Sequence, residues 1–179
     1  MPSEPDTHEN AGKHSPSAVP PVTADLAENV RRAADDRDAR REIRVRLDVE
    51  GGQHEDRYEF RFEAAGSGEV ESRFRSKLRS REYGPKTGEL APRDFTGLLR
   101  TIDVGELLEA AKAMPRIPPD SLVGRLLVSD GRQEVSVIFM ADPEQAKTAG
   151  YEAPATLEKA VERIYALAAR NLGAKDIRP

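Results

Sequence analysis

Five basic residues recur at every second position between Glu69 and Glu82, and their spacing suits the binding of an anion. The segment runs EVESRFRSKLRSRE, and one of its two alternating sets of positions carries Val70, Phe74 and Leu78. The other set carries Arg73, Arg75, Lys77, Arg79 and Arg81. Because successive strand residues point to opposite faces, the pattern predicts a half-buried strand with a row of cations on its wet side.

Such a row would hold its charges about 6.6 Å apart, twice the rise of one strand residue. It would suit an anion or the acidic surface of another protein, and Arg44 and Arg46 would extend it if the first strand lies alongside. The alternative is a solvated face, since antiparallel sheets often leave one side wet. Its charges would then be balanced by acidic neighbours, namely Glu59, Glu63, Glu69, Glu71 and the acidic residues of the N-terminal helix. Aromatic residues are missing from the basic positions, which argues against single-stranded nucleic acid.

Other kinds of site find little support in the sequence. The chain has no cysteine, which excludes disulfides, thiolate zinc sites and cysteine nucleophiles. Its histidines, His8, His14 and His54, have no partners at metal-ligand spacing. The segment from Gly84 to Gly88 lacks the Gly-Lys-Ser/Thr of a phosphate-binding loop. We therefore expect no metal, cofactor or catalytic residue, and an enzyme with a site near the loop 83–91 stays as an alternative.

The bulk composition indicates a small core with a large solvated surface. The chain has 179 residues, of which 37% are hydrophobic and 34% charged, with a net charge of −4. Net acidity argues against a general nucleic-acid binder, which usually has a basic domain. The N-terminal MPSEPDTHEN lacks the features of a signal peptide, and no apolar run approaches the ~20 residues that span a bilayer. We expect a soluble cytoplasmic protein with no membrane association.

The N-terminal quarter of the chain is predicted to stay outside the core. Residues 1–23 contain five prolines and few large apolar side chains, which predicts a disordered tail. A docking peptide that folds on a partner is the alternative. Residues 24–41 are predicted to form a charged, solvated lead-in helix, anchored only by Leu26 and Val30.

Residues 42–173 carry the pattern of a single α+β domain. Alternating apolar residues predict strands around 43–49, 58–64 and 69–82, and Asp130-Gly131 predicts a type I′ hairpin between two further strands. That turn would place Leu126 opposite Val135, Gly124 opposite Val137 and Leu122 opposite Phe139. Residues 83–91 are predicted to be a loop, with two short helical pieces after it, the second capped by Asp103.

A last helix is bracketed by Pro154 and Gly173 and followed by a short tail, residues 174–179. The predicted order β-β-β-α-β-β-α gives an antiparallel sheet of about five strands with helices on one face. The function that fits these observations best is a non-enzymatic binding module that uses the charged sheet face. An inhibitor or adaptor of another protein, with the N-terminal tail as its tether, is a second alternative.

Overall fold

The computed structural model describes residues 22–53, 55–113 and 116–179, with side chains from residue 25 onward. Almost all of the expected tail and the three histidines lie outside the described residues. Within the described part, no helix is both long and apolar enough to cross a membrane.

Six strands form one antiparallel sheet, which confirms the predicted fold class with one strand more than expected. The strands are β1 (Arg44–Gly51), β2 (Tyr58–Ala65), β3 (Glu69–Ser76), β4 (Arg81–Glu89), β5 (Val123–Ser129) and β6 (Glu134–Met140). Their spatial order is β4-β3-β2-β1-β5-β6, so that β4 and β6 are the two edges. Consecutive strands pair with each other except β4 and β5, and β1 pairs with β5 in the middle of the sheet.

The helices are α1 (Val22–Asp35), α2 (Arg37–Arg40), α3 (Pro92–Leu99), α4 (Val104–Lys112), α5 (Pro143–Thr148) and α6 (Ala155–Leu172). The Asp103 carboxylate caps α4 as predicted, because it accepts a hydrogen bond of 3.0 Å from the Glu106 amide. Gly173 ends α6 in the left-handed conformation, with φ of 68°. Such an ending favours glycine, which has no Cβ to strain.

One face of the sheet carries the hydrophobic core. Its residues alternate along each strand, as with Leu47 on β1, Phe62 on β2 and Phe74 on β3, all fully buried. Leu157 and Ile164 of α6, Leu107 of α4 and residues of α1 and α3 join the same cluster. The helices therefore cover this face, and no described helix covers the other, which we call the open face.

The segment expected to be a loop at 83–91 is mostly strand β4, and this prediction was wrong. Gly84, Pro85 and Gly88 are typical of loops, but β4 lies at an edge, where proline is tolerated because its missing N–H is not needed. The pairing with β3 shifts between Ser72 and Phe74, which makes room for the irregular segment. Tyr83 lies opposite Phe74 in register, and their rings are 6.0 Å apart.

The strand predicted over 69–82 is also shorter than expected. β3 ends at Ser76, and residues 77–80 form a tight turn into β4. Leu78, predicted to face the core with Val70 and Phe74, has 74% of its surface exposed because it lies in this turn.

The lead-in helix is packed rather than solvated. Leu26, Val30 and Ala33 are buried in the core, and Ala34 is nearly so. The sequence pattern counted only large apolar residues as anchors, whereas two alanines allow α1 to approach the core closely. The predicted single helix is interrupted at Asp36, between α1 and α2. The Asp36 carboxylate caps α2 by accepting hydrogen bonds from the Asp38 and Ala39 amides.

The β5–β6 hairpin has the predicted faces but a different register. Leu126 lies opposite Val137 and Gly124 opposite Phe139, two residues from the predicted pairs. The central turn residues are Gly131 and Arg132, and only Gly131 has a positive φ, 83°. This is the pattern of a type II′ turn, which places glycine first. Because the shift is two residues, every side chain keeps its predicted face.

Candidate binding face

The open face of the sheet is built from the charged positions that alternate with the core residues. On β1 these are Arg44, Arg46, Asp48 and Glu50, and on β2 they are Glu59, Arg61 and Glu63. On β3 they are Glu69, Glu71, Arg73 and Arg75, all exposed. The face therefore carries both signs of charge, and strand register decides which charges meet.

Register aligns three arginines in a line that runs across the strands. Arg73 of β3 lies opposite Arg61 of β2, which lies opposite Asp48 of β1, and Asp48 lies opposite Arg125 of β5. We call Arg73, Arg61 and Arg125 the arginine row. The arginine row runs perpendicular to the row predicted along β3. Strand pairing, rather than position along one strand, brings its three arginines into line.

Asp48 holds the middle of the arginine row. Its carboxylate accepts from Arg46 Nε at 2.7 Å and from Arg61 Nε at 2.8 Å. The hydrogen bond to Asp48 raises the pKa of Arg61 above its ordinary value, and this effect outweighs partial burial. Arg61 is thereby fixed in place while half of its side-chain surface stays exposed.

The two outer arginines, Arg73 and Arg125, are less fully paired with carboxylates than Arg61. The nearest carboxylate to Arg73 is that of Glu82 on β4, with 4.0 Å between Arg73 Nη2 and its oxygen. Arg125 is exposed and makes no ion pair with any described residue. Their strands are three spacings apart, about 14 Å. The outer guanidinium groups are therefore too far apart to hold one small anion together.

Acidic pairs flank the arginine row on both sides. Glu63 lies opposite Glu71 on one side, and Glu50 lies opposite Glu59 on the other. A shallow depression of about 490 Å³ covers this part of the face, lined by residues of β1, β2, β3 and β5 and by Pro85. The surface thus presents a cationic line between two acidic borders, each of which also contains one arginine, Arg46 beside Glu63 and Arg75 beside Glu59.

The five residues predicted to form the cationic row are divided by the turn at 77–80. Arg73 and Arg75 lie on the open face, where Arg75 approaches Glu82 at 3.8 Å and lies opposite Glu59. Lys77 is exposed in the turn, and Arg81 begins β4. Arg44 and Arg46 do not extend a β3 row, because β2 separates β1 from β3.

Arg79 is engaged with the C-terminal segment. Its Nη1 donates to the carbonyls of Asp176 at 3.1 Å and Arg178 at 2.9 Å, and it pairs with the Asp176 carboxylate. Between these residues, Ile177 is buried, and its carbonyl accepts a 2.5 Å hydrogen bond from the Tyr58 hydroxyl. Residues 174–179, predicted to be a tail, are thus attached to the turn and the core.

Sequence reasoning missed Arg61, Asp48 and Arg125 as members of one site. Each of the three lies on a predicted strand, at a position that alternates with the core residues. The alternation therefore predicted that all three share the solvent-exposed face. Their alignment depends on the pairing of β1 with both β2 and β5. The β1–β5 pairing joins residues far apart in the chain, and no local pattern indicates it.

A second concave feature lies on the helix side. A groove of about 900 Å³ is bordered by α5, the segment 149–154, the first half of α6 and the C-terminal residues. Burial raises the pKa of Tyr165 to about 12 and, with a contribution from Glu158, raises that of Tyr151. Both phenols therefore stay protonated at neutral pH, so they can donate hydrogen bonds but do not act as bases.

No group of three or more acidic or histidine side chains among the described residues is arranged to hold a metal ion. The segment around 83–91, considered for an enzyme site, is mostly the exposed edge strand β4, which ends at Glu89 and is followed by the buried Leu90. A scan of the chain against models of known protein families finds no match, and a search among curated proteins finds no similar sequence.

Proposed function

We propose that this protein is a non-enzymatic binding module whose open sheet face engages an acidic surface of another protein. The observation that supports the proposal is that Arg61 and Arg73 lie directly opposite each other on the neighbouring strands β2 and β3. Like charges in such positions destabilise a sheet. A carboxylate placed between the two guanidinium groups would relieve this repulsion, and arginine suits carboxylates because it binds them with two parallel hydrogen bonds.

The acidic borders favour a protein partner over a nucleic acid. A phosphate backbone repeats its negative charge continuously, so it would bring phosphates close to Glu63 and Glu71 or to Glu50 and Glu59. A protein can instead place a short acidic line on the arginine row and basic side chains over the borders. Complementary charges of this kind set the specificity and speed of association. An inhibitor or an adaptor of an acidic protein would use the face in the same way.

A charge-reversal experiment tests this proposal. The full chain is titrated against a fluorescent ten-residue glutamate-rich peptide, and binding is measured by anisotropy at low and moderate salt. We expect the double variant Arg73→Glu/Arg125→Glu to weaken binding at least tenfold with unchanged circular dichroism. Salt should weaken the wild-type complex, since exposed charges are screened over about 10 Å at 0.1 M.

A matched control separates the arginine row from net charge. Arg116 and Arg132 are exposed and lie outside the open sheet face. The variant Arg116→Glu/Arg132→Glu has the same net charge as the test variant and should bind like the wild type. Equal losses in both variants would contradict the proposal, as would tighter binding of a single-stranded oligonucleotide than of the peptide.

A further inference from the structure

Strand β6 has one hydrogen-bonding edge that no other described strand uses. The amide of Ala141 donates to the Leu122 carbonyl at 2.9 Å, and that of Asp130 donates to the Gln133 carbonyl. Along a strand of an antiparallel pair, the backbone N–H and C=O groups of successive residues point alternately towards the partner strand and away from it. Val135, Val137 and Phe139 therefore direct their backbone groups to β5, whereas Glu134, Ser136, Ile138 and Met140 direct theirs outward.

These outward groups find no partner within the described part of the chain. Beyond the pairing with β5, no hydrogen bond to the backbone of residues 134–140 occurs among the described residues. The strand is seven residues long and contains no proline, lysine or arginine. Natural proteins use short length, proline, bulges or lysine to stop such an edge from pairing with another chain.

The opposite edge of the sheet carries those protections. β4 contains Pro85 and Lys86 and lies beside the shift of register near Arg73. Asn171 of α6 also covers it, donating from Nδ2 to the Lys86 carbonyl at 3.1 Å and to Ser72 Oγ at 3.1 Å. Among the described residues, β4 therefore has features that protect an edge from pairing with another strand, and β6 lacks them.

The open face next to β6 carries several apolar side chains beside Arg125 and Glu134. Val123 lies opposite Met140 and Leu127 opposite Ser136, while Ile138 lies beside Arg125. Val123, Leu127 and Ile138 are each only half-buried. A strand added to β6 would cover part of this apolar surface and remove it from water, which favours association.

We propose that β6 pairs with β6 of a second copy of this chain, antiparallel about a twofold axis near Val137. This register places Ser136 opposite the partner's Ile138 and Glu134 opposite the partner's Met140. Glu134 is the only charged residue on the strand, so no like charges meet. The outward residues of both strands then exchange backbone hydrogen bonds, and the two apolar patches lie side by side in one continuous sheet.

The dimer does not depend on the proposed function of the arginine row, which lies on β2, β3 and β5. Sedimentation equilibrium of the full chain should give twice the mass of one chain. Ile138→Lys and Ser136→Pro should each give a monomer with unchanged circular dichroism, because both alter the edge without touching the β5 ladder. Thr87→Lys, an exposed position on the β4 edge, is the matched control and should remain a dimer.

Hydrogen exchange identifies the surface that pairs. In the wild type, the amides of Ser136 and Ile138 should be protected as strongly as those of Val135 and Val137, and they should lose protection selectively in Ile138→Lys. A monomeric wild type, or a dimer whose Ser136 and Ile138 amides exchange freely, would overturn the proposal. It would also be overturned if deletion of residues 1–21 alone exposed these amides, since that segment would then be what covers the edge.

Discussion

At the scale of single residues, Arg79 shows that a basic side chain in this segment can serve the fold. It joins the turn at 77–80 to the carbonyls of Asp176 and Arg178. We expect Arg79→Ala to lower the free energy of unfolding by about 1–2 kcal/mol, since hydrogen bonds from charged groups contribute at that level. Carboxypeptidase digestion should also become faster. Lys77→Ala, in the same turn but exposed, should change neither quantity, and equal effects of the two variants would contradict the role given to Arg79.

Asp130 is a second residue whose role is structural, and the pH dependence of the unfolding free energy tests that role. Burial alone would raise its pKa, but hydrogen bonds from Asn29 and from the Arg132 and Gln133 amides hold the pKa below the ordinary 3.8. The ionised form therefore stabilises the fold above about pH 4, and this contribution is lost as pH falls through the lowered pKa. Asp130→Asn should be less stable than the wild type at pH 7 by about 1 kcal/mol or more.

The same comparison at lower pH checks the sign. In urea denaturation, the difference in unfolding free energy between Asp130→Asn and the wild type should narrow as the pH is lowered from 4 towards 3. A difference that is the same at pH 7 and pH 3 would show that ionisation of Asp130 does not contribute to stability.

At the scale of elements, α6 determines how the helical layer sits on the sheet. Ile164 is fully buried, and Asp94 of α3 pairs with both Arg163 and Arg170 of α6. Ile164→Asp should lower the unfolding free energy by several kcal/mol, because an unpaired charge would enter the core. Ala166→Asp introduces the same side chain on the exposed face of the helix and should cost far less. Similar thermal midpoints for the two variants would contradict this packing.

The elements also show where sequence patterns succeed and where they fail. Strands β1 and β2 follow from alternation, β5 and β6 follow from the Asp130-Gly131 turn between two aliphatic runs, and α6 follows from its apolar stripe and its bracketing Pro154 and Gly173. β4 could not be predicted, because its glycines and proline are loop residues that only an edge position accommodates. The hairpin register was wrong by two residues because the carboxylate of Asp130 accepts from the Arg132 and Gln133 amides, which places Asp130 at the first position of the turn rather than at its centre.

At the scale of the whole molecule, one side of the sheet holds the core and the other holds the arginine row. Alternation predicted that Arg73 and Arg75 are exposed on a sheet face. It could not predict that Arg61 and Arg125 lie in line with Arg73, because that alignment requires the pairing of β1 with β5 across more than seventy residues of chain. Local patterns were therefore enough to predict that these arginines are exposed on a sheet face. Which of them lie next to each other depends on the long-range pairing of the strands.

The location of binding tests the central claim most directly. Titration of the isotope-labelled full chain with the glutamate-rich peptide, followed by amide chemical shifts, reports which residues contact it. We predict that the shifts concentrate at Arg61, Arg73 and Arg125 and their strand neighbours, and that they disappear in Arg73→Glu/Arg125→Glu. Shifts confined to the groove beside α5 and α6, or an absence of shifts anywhere on β1, β2, β3 and β5, would contradict the account.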